Sequence, residues 1–598
     1  MTGLDDETKR RIRRRLRRRR KDAQALSLIA DQKLERLFIR RFDSLVSVRR
    51  FVLLWICLFL LLALTGLMQT RALSQYYQSL QPVGGGLYTE GLVGTFTNAD
   101  PLYATGTANT TVSKLVFSGL FKYDEGNKLV GDLAQSYSLS GDAQTHYTVH
   151  LKHGIKWQDG QPFTAEDVLY TYKTIQNIES QSPLYSSWIG VNVAKQDDYT
   201  VTFDLPNALS SFPYSLTNGI VPAHILKKVP VEQLRSASYN TAPIGTGPFE
   251  WKFTEVTGNS SEDREQRISL AAYNNYYAGR PKLDGFNLIT YGDSQHMISA
   301  FQANQIAAMS GLETVPDELK NNKNIQVYVT PLTSEVMTFF NNSQVPLNNA
   351  DIRRALIEDV DRSQLNNLFD EPVQPADSPL LKNQLGYDKS LVEPSYNPAD
   401  ANKILDQAGW VKDSHGMRKK NGQPLTFTLS AQDSTNYTKV AQFLQDEWAA
   451  LGVKVQISYY SQEELQTSVV SNHDYDALLY GINIGVDPDV YAYWDSSQAS
   501  ITSQGHLNLS EYKSPAADLA IEGGRTRSDP AIRAVKYKAF LTQWVKDLPA
   551  MALYQPNYLY ITHGPVFNYD RSAANSSTDR LYNVNNWMIR QKRQNIVR

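Results

Sequence analysis

Residues 437–457, YTKVAQFLQDEWAALGVKVQI, decide the fold class. Val440, Phe443, Leu444, Trp448 and Leu451 recur at three- and four-residue intervals, which puts them on one face of a helix. Gly452 stands where a helix turns into the left-handed region and stops. Val453, Val455 and Ile457 then alternate with polar residues, the period of a strand with one face covered. A helix that runs straight into a strand is the repeating unit of layered α/β architecture.

The same alternation extends outward on both sides. Thr164-Ala-Glu-Asp167 resembles a capping box with the shorter acid at its last position. Val168, Tyr172 and Ile175 follow at helical spacing, which predicts a helix over 164–177. Residues 397–409 read as another helix, with Pro398 near the start and Gly409 as the stop. Strands are expected over 146–152 and 200–205.

The chain has 598 residues, of which 41% are apolar and 20% charged, so it holds a large core and is not a disordered or fibrous polymer. Its length suits three or four domains at roughly 150 residues each. The net charge of -1 conceals a polarity: residues 1–50 carry 17 Lys and Arg against 7 Asp and Glu, leaving an acidic remainder. The single cysteine, Cys57, excludes an intramolecular disulfide framework and any multi-cysteine metal site.

Residues 51–68, FVLLWICLFLLLALTGLM, contain no charge, and as a helix they reach roughly 27 Å, close to the hydrocarbon thickness of a bilayer. A preceding segment of 50 residues is far longer than the basic start of a cleaved secretory signal, so an uncleaved signal anchor is expected. Lipidation at Cys57 is disfavoured, because Leu54-Trp55-Ile56 is not the small-residue context such a site needs. The block RRIRRRLRRRRK at 10–21 and Arg49-Arg50 place the N-terminus inside and the body outside the cell membrane. That block is expected to meet anionic lipid at the inner leaflet, with a membrane partner as the alternative and no nucleic acid.

Catalytic signatures are missing: there is no GxSxG elbow, HExxH, phosphate-binding loop or dinucleotide glycine fingerprint. His146, His150 and His153 form the one histidine cluster, but on a strand the first two face opposite to the third. Asp487-Pro488-Asp489 could open a calcium loop, yet its proline and the missing turn glycine argue against one. No metal, cofactor or enzymatic activity is expected. The 34 Tyr, 21 Phe and 9 Trp do suit an extended ligand held by aromatic and backbone contacts.

A set of ordered motifs carries a resemblance. They are LVFSGLFKYD at 115–124 with LVGDLA at 129–134, GIKWQDGQPFTAEDV at 154–168, PIGTGPF at 243–249, residues 341–362 with Pro346, Asp351, Ile352, Arg353, Ala355, Asp361 and Arg362, and finally Asp487-Pro488-Asp489 with YKSP at 512–515. Together they resemble the extracellular solute-binding proteins of ABC importers, the large oligopeptide-, dipeptide- and nickel-binding family, over roughly residues 84–590. Read physically, Trp157 suits a buried aromatic before a turn, and Gly245, Gly247 and Pro248 suit a tight chain crossing.

The resemblance implies an α/β, two-lobed, periplasmic-binding-protein-like fold of type II with an extra inserted domain, preceded by one transmembrane helix. Its parts would be a basic cytoplasmic segment at 1–50, the anchor at 51–68, a linker at 69–86, a discontinuous first lobe (84–125, 244–331, 547–590), an inserted domain at 126–243 and a further lobe at 332–546. The family function would be capture of a peptide or similar solute, lobe closure, and delivery to ABC permease subunits driven by cytoplasmic ATPases. A ligand sensor or signal relay built on the same cleft is the alternative, and a hydrolase on this scaffold, for which no nucleophile and base pair is found, is a third reading.

By the same resemblance, an extended peptide backbone would lie between Thr105-Gly106-Thr107 and Tyr480-Gly481-Ile482-Asn483-Ile484. Peptide binders of this family carry, three residues before the acidic-proline pair, an aspartate that neutralises the peptide amino terminus. Aligned on Asp487-Pro488, this chain has Ile484 there, beside Asn483. Either Asp487 or another acid meets the ammonium group, or the ligand has none, because an unpaired buried charge costs several kcal/mol.

Overall fold

A computed structural model of the chain describes residues 6–34, 48–141, 143–258, 260, 263–503 and 505–595. It divides into two units, residues 1–81 with 591–598, and residues 82–590. In the first unit Asp6–Leu34 is a helix containing the basic block. Arg49–Tyr77 is a second helix, and Arg49–Arg71 is long and apolar enough to cross a membrane. The expected linker at 69–86 is largely regular structure instead. Residues 69–77, QTRALSQYY, contain neither Gly nor Pro and continue the helix. Gln78–Val83 then forms a strand paired with Arg590–Asn595.

Three sheets organise the second unit. A seven-stranded sheet runs in the order Ile325–Pro331, Asn557–His563, Ala308–Ser310, Leu87–Val93, Gly285–Tyr291, Glu265–Ala272 and Phe249–Thr257. Leu87–Val93 is parallel to both Gly285–Tyr291 and Ala308–Ser310. A six-stranded sheet takes Gln374–Pro375, Ala550–Gln555, Ser334–Phe340, Ala477–Asn483, Thr426–Gln432 and Lys454–Tyr460. The third sheet has four antiparallel strands, Ala134–Ser140, His146–Leu151, Thr200–Asp204 and Asn192–Asp197.

The first two sheets are the cores of two lobes, and the chain crosses between them at Leu332–Thr333 and at Pro556. The crossings are tied together: the Leu332 amide donates to the Pro556 carbonyl at 2.9 Å, and Gln555 Nε2 to the Leu332 carbonyl at 2.6 Å. This corrects the expected boundary at 547. Ala550–Gln555 pairs with Ser334–Phe340 in the six-stranded sheet, so the chain returns to the other lobe only after Pro556. The stretch AMALYQ is buried along five of its six residues, the pattern of an interior strand that belongs to whichever sheet it fills.

Local chemistry explains the main elements. The expected helix at 437–451 is Thr435–Leu451; Val440, Leu444, Trp448 and Leu451 are buried, Phe443 is half-buried, and Gly452 ends it at φ 92°. The helix Ala165–Ile175 has its capping box: Thr164 Oγ1 accepts the Glu166 amide at 3.3 Å, and Asp167 Oδ2 accepts the Thr164 amide at 2.9 Å. Asp167 also accepts the Ala223 amide at 2.9 Å and Trp157 Nε1 at 3.4 Å, so one carboxylate pins helix, loop and buried indole.

Gly245 and Gly247 serve close approach rather than a turn. A Cβ at 245 would stand 1.9 Å from the Val116 carbonyl oxygen, which accepts the Gly247 amide at 2.7 Å. Gln158 locks the crossing by accepting the Gly245 amide at 2.8 Å and donating to the Phe249 carbonyl at 2.8 Å. Inside the same lobe the fully buried Arg580 pairs with Glu90, which also accepts the Tyr560 hydroxyl at 2.7 Å.

Candidate functional site

Two lobes joined by short crossings leave a cleft between their sheets, and a cavity of about 420 Å³ opens there. One wall comes from the seven-stranded side, residues 311–314 just beyond Ala308–Ser310 together with Asn557, Tyr558 and Leu559. The facing wall is the other lobe: Ser334, Val336, Gly481, Ile482, Asn483, Tyr437, Tyr554, residues 369–371 and Val373. Both crossings contribute, through Leu332 and Pro556.

The end of the strand Ala477–Asn483 is the structural heart of this wall. Its antiparallel neighbour Ser334–Phe340 pairs with it throughout, whereas the parallel register with Thr426–Gln432 covers only residues 477–479. Residues 480–483 therefore continue past their neighbour, and the Tyr437 ring comes up to that edge. A Cβ at Gly481 would lie 2.8 Å from the Tyr437 hydroxyl, so a side chain there would push that hydroxyl aside.

The lobes are bridged beside the cavity. Glu313 Oε2 accepts the Asn436 amide at 3.3 Å, in the first turn of Thr435–Leu451, whose own cap residue Ser434 makes no side-chain cap bond. Lys320 Nζ lies 3.0 Å from Asp370 Oδ1, and Asn557 Nδ2 donates to the Pro372 carbonyl at 2.9 Å. Burial, then neighbouring Tyr480, then Glu313 push the Tyr437 hydroxyl pKa up; burial, Tyr437 and Glu313 do the same for Tyr554. Both phenols stay protonated donors, and the field of Glu313 reaches them.

The expected site residues divide. Gly481, Ile482 and Asn483 line the cavity, while Tyr480 is half-buried with its hydroxyl 3.4 Å from Gln466 Nε2. Asn483 donates to the Asn575 carbonyl at 3.3 Å, and its own carbonyl accepts the Tyr493 hydroxyl at 2.8 Å. Thr105, Gly106 and Thr107 lie exposed where the helix Thr107–Val116 begins, and they are outside the residues lining this cavity.

Two of the expected positions are buried among protein contacts. Ile484 is 6% exposed and packs in the core of the second lobe, its amide bound to the Thr333 carbonyl at 3.0 Å, because the inward alternation of Ile482 carries on to 484. Asp487 is buried against Arg533, with Oδ1 2.6 Å from Nη2. Asp489 next to it is 3.3 Å from Arg525 Nη2 and accepts the Ser211 hydroxyl at 2.9 Å. The Asp-Pro-Asp segment is thus an anchor between the 126–243 segment and the second lobe.

Other polar groups around the cleft had no local signal in the sequence. Asn575 accepts the Thr333 hydroxyl at 2.7 Å and exchanges amide bonds with Asn127 at 2.9 and 3.0 Å, joining segments 448 residues apart. Glu313, Asp370 and Glu371 line the cavity without belonging to any motif. Elsewhere His146 pairs with Asp204 and His153 packs on Tyr199 with ring centroids 3.9 Å apart. Among the described residues no three His, Cys, Asp or Glu side chains are grouped to hold a metal ion.

Comparisons with known proteins agree on what this architecture is. Residues 128–503 match the model of bacterial extracellular solute-binding proteins, family 5 Middle. The oligopeptide-binding protein AppA of Bacillus subtilis is 28% identical over 526 residues, covering 85% of this chain and 92% of that protein. Its structure in complex with a nonapeptide superimposes with a TM-score of 0.67 at 25% identity, covering 85% of this chain and all of that one (100%). NikZ from Campylobacter jejuni, solved in complex with Ni(L-His), gives a TM-score of 0.70 at 23% identity over 84% of this chain and 99% of that one, a likeness of fold.

Proposed function

The chain belongs to the bacterial extracellular solute-binding proteins of family 5, and from that premise we propose that it captures a peptide or similarly extended solute between its two lobes and hands it to an ABC permease. The observation that carries this reading is the cavity between the lobes, walled on one side by the unpaired end of the strand Ala477–Asn483. An extended backbone can add to such an edge by main-chain hydrogen bonds, which read peptide rather than side chain. Tyr480, Gly481, Ile482 and Asn483 are the residues assigned to that contact on this lobe, with Thr105, Gly106 and Thr107 facing them from the other when the cleft holds ligand.

Capture works through differential affinity. A solute that touches both walls is bound more tightly when the lobes approach, so its binding energy shifts the population toward the closed form. The Leu332–Thr333 and Pro556 crossings are short and hydrogen-bonded to each other, which suits bending about a defined axis. No covalent step is involved. The helix Arg49–Arg71 anchors the chain, the basic segment before it lies on anionic lipid at the cytoplasmic leaflet, and the body works outside.

The test is to purify the full chain from membranes in mild detergent, denature it, and identify the released small molecules by mass spectrometry. Peptides in near-stoichiometric amount are the expected result. A released solute with no amide backbone would overturn the peptide assignment, and transport of that solute by the cognate permease would redirect it.

A further inference from the structure

We infer that the ribbon formed by the strand Gln78–Val83 and its partner Arg590–Asn595 lies on anionic phospholipid headgroups of the outer leaflet. This rests on the membrane-anchor reading above and adds a lipid contact on the side of the bilayer opposite the basic block. The helix Arg49–Tyr77 has 29 residues, and at about 1.5 Å per residue it is about 43 Å long. A bilayer with its headgroup layers measures about 40–45 Å, so a helix that enters at Arg49 leaves at the headgroup surface near Tyr77. The ribbon begins there, at Gln78, with no linker between. Tyr76-Tyr77, which closes the helix, is the residue type that collects at that depth.

The charge of this ribbon has one sign. Residues 44–89 contain no Asp or Glu, and neither do residues 580–598, in a chain that is otherwise acidic beyond residue 50. The strand Arg590–Asn595 reads RQKRQN, and its residues 590–594 are exposed. Arg590 and Lys592 share one face and Arg593 takes the other, so either face turned to the membrane is cationic. Neither Lys592 nor Arg593 has an acidic partner among the described residues. Two further observations point to a cover. The ribbon has only two strands, and such a pair is marginal in water unless something packs on it. Leu80 in its first strand is 57% exposed, an apolar side chain beside the basic strand at the level where the helix ends. A headgroup layer meets both needs, with phosphates for the cations and the acyl boundary for Leu80. Basic charge outside does not contradict the orientation of the anchor, because charges far along a long translocated domain do not set topology.

The experiment places the full chain in nanodiscs of zwitterionic phosphatidylcholine, or of the same lipid with about 30% anionic phosphatidylglycerol, and follows amide hydrogen exchange over 78–83 and 590–595 by mass spectrometry. Exchange in both strands is expected to be at least about threefold slower in the anionic discs, and the difference should vanish in about 1 M NaCl, where charges are screened beyond about 3 Å. The double variant Lys592→Gln/Arg593→Gln should exchange at one rate in both lipids, and that rate should match the natural chain in phosphatidylcholine, which shows that the ribbon is still paired. Lys592→Arg/Arg593→Lys, which keeps both charges, should keep the slowing. Equal exchange of the natural chain in the two lipids, or a slowing that survives either salt or the double Gln substitution, overturns the inference; a chain that nevertheless resists alkaline carbonate extraction from membranes leaves the anchor standing. Release of the chain by carbonate removes the anchor reading and the inference together.

Discussion

Arg533 donates from Nη2 to Asp487 Oδ1 at 2.6 Å, with the two side chains only 9% and 8% exposed. Burial raises the Asp487 pKa, while the guanidinium and the hydrogen bond to it pull it back. Arg533 also donates from Nε to the Gly524 carbonyl at 2.8 Å, so the pair fastens the loop after the strand Ala477–Asn483 onto the helices Pro515–Arg525 and Pro530–Asp547. A carboxylate held this way is not at the disposal of a ligand.

Truncating one partner strands the other as a buried charge, which costs about 3–5 kcal/mol. Asp487→Ala is therefore expected to lower the thermal unfolding midpoint by several degrees, with Asp487→Ala/Arg533→Met recovering part of the loss. Neither should change peptide affinity. Calorimetric unfolding and peptide titration check both halves, and an unaltered midpoint for Asp487→Ala would refute the structural role.

The crossing at Gly245 and Gly247 predicts a sharper effect. A Cβ at 247 would lie 2.5 Å from the Val116 carbonyl carbon, and one at 245 closer still to its oxygen. Backbone atoms cannot move aside as a side-chain tip can, so overpacking here exceeds the usual 1–3 kcal/mol for one extra carbon. Gly245→Ala should leave little folded protein in the membrane fraction, measured by protease resistance. Gly126→Ala, whose Cβ would meet only the Asp124 carboxylate at 3.5 Å, is the tolerated control.

What the sequence makes legible is what neighbours in the chain decide. The helix-to-strand run through Gly452, the capping box from Thr164 to Asp167 and the buried Trp157 all depend on residues within a few positions, and all three are present. The strand Ala550–Gln555 lies in the six-stranded sheet and not in the first lobe, where the sequence places it, since a buried apolar run carries no mark of the sheet that will take it. The candidate site is harder still. Glu313 meets Asn436 across 123 residues and Asn575 meets Asn127 across 448, contacts that only the lobe arrangement creates. Nothing near Asp487 in the sequence marks it as paired, because its partner, Arg533, stands 46 residues on.

Stability should fall as pH rises toward neutrality. Burial lifts Asp100, Asp359 and Glu393 to about 7 each, and the fully buried Glu335, with no hydrogen-bond partner on either oxygen, is raised well above its ordinary value by burial and then by Glu393 and Asp377. Their unfolded values lie near 4. Between these limits the native chain keeps protons that the unfolded chain has released, so stability is full below about pH 4 for these groups and is lost as pH rises through 7. The slope reaches at most about 1.4 kcal/mol per pH unit for each group. Asp388, held low by Ser390 and Lys538, opposes this only in acid. Unfolding midpoints from pH 5 to 8 should decline, and Glu335→Gln should flatten the decline; a midpoint that rises over this range contradicts the assignment.

Gly481 gives the cleanest separation of binding from folding. Its Cβ position is 2.8 Å from the Tyr437 hydroxyl, a side-chain tip that faces the cavity wall and has room to shift toward it. Gly481→Ala should therefore leave the unfolding midpoint within about 2 °C, since the clash is relieved at a cost of about 1 kcal/mol or less. Relief comes at the ligand's expense: the displaced ring narrows the space beside the unpaired strand edge, where an added backbone must approach closely. Peptide affinity is expected to fall at least about tenfold, equivalent to about 1.4 kcal/mol. Tyr437→Phe/Gly481→Ala, which removes the oxygen that the new methyl meets, should restore most of it. Titration of one peptide against the three proteins decides the matter, because loss of binding from a general disturbance of the strand would not be rescued by deleting a single hydroxyl.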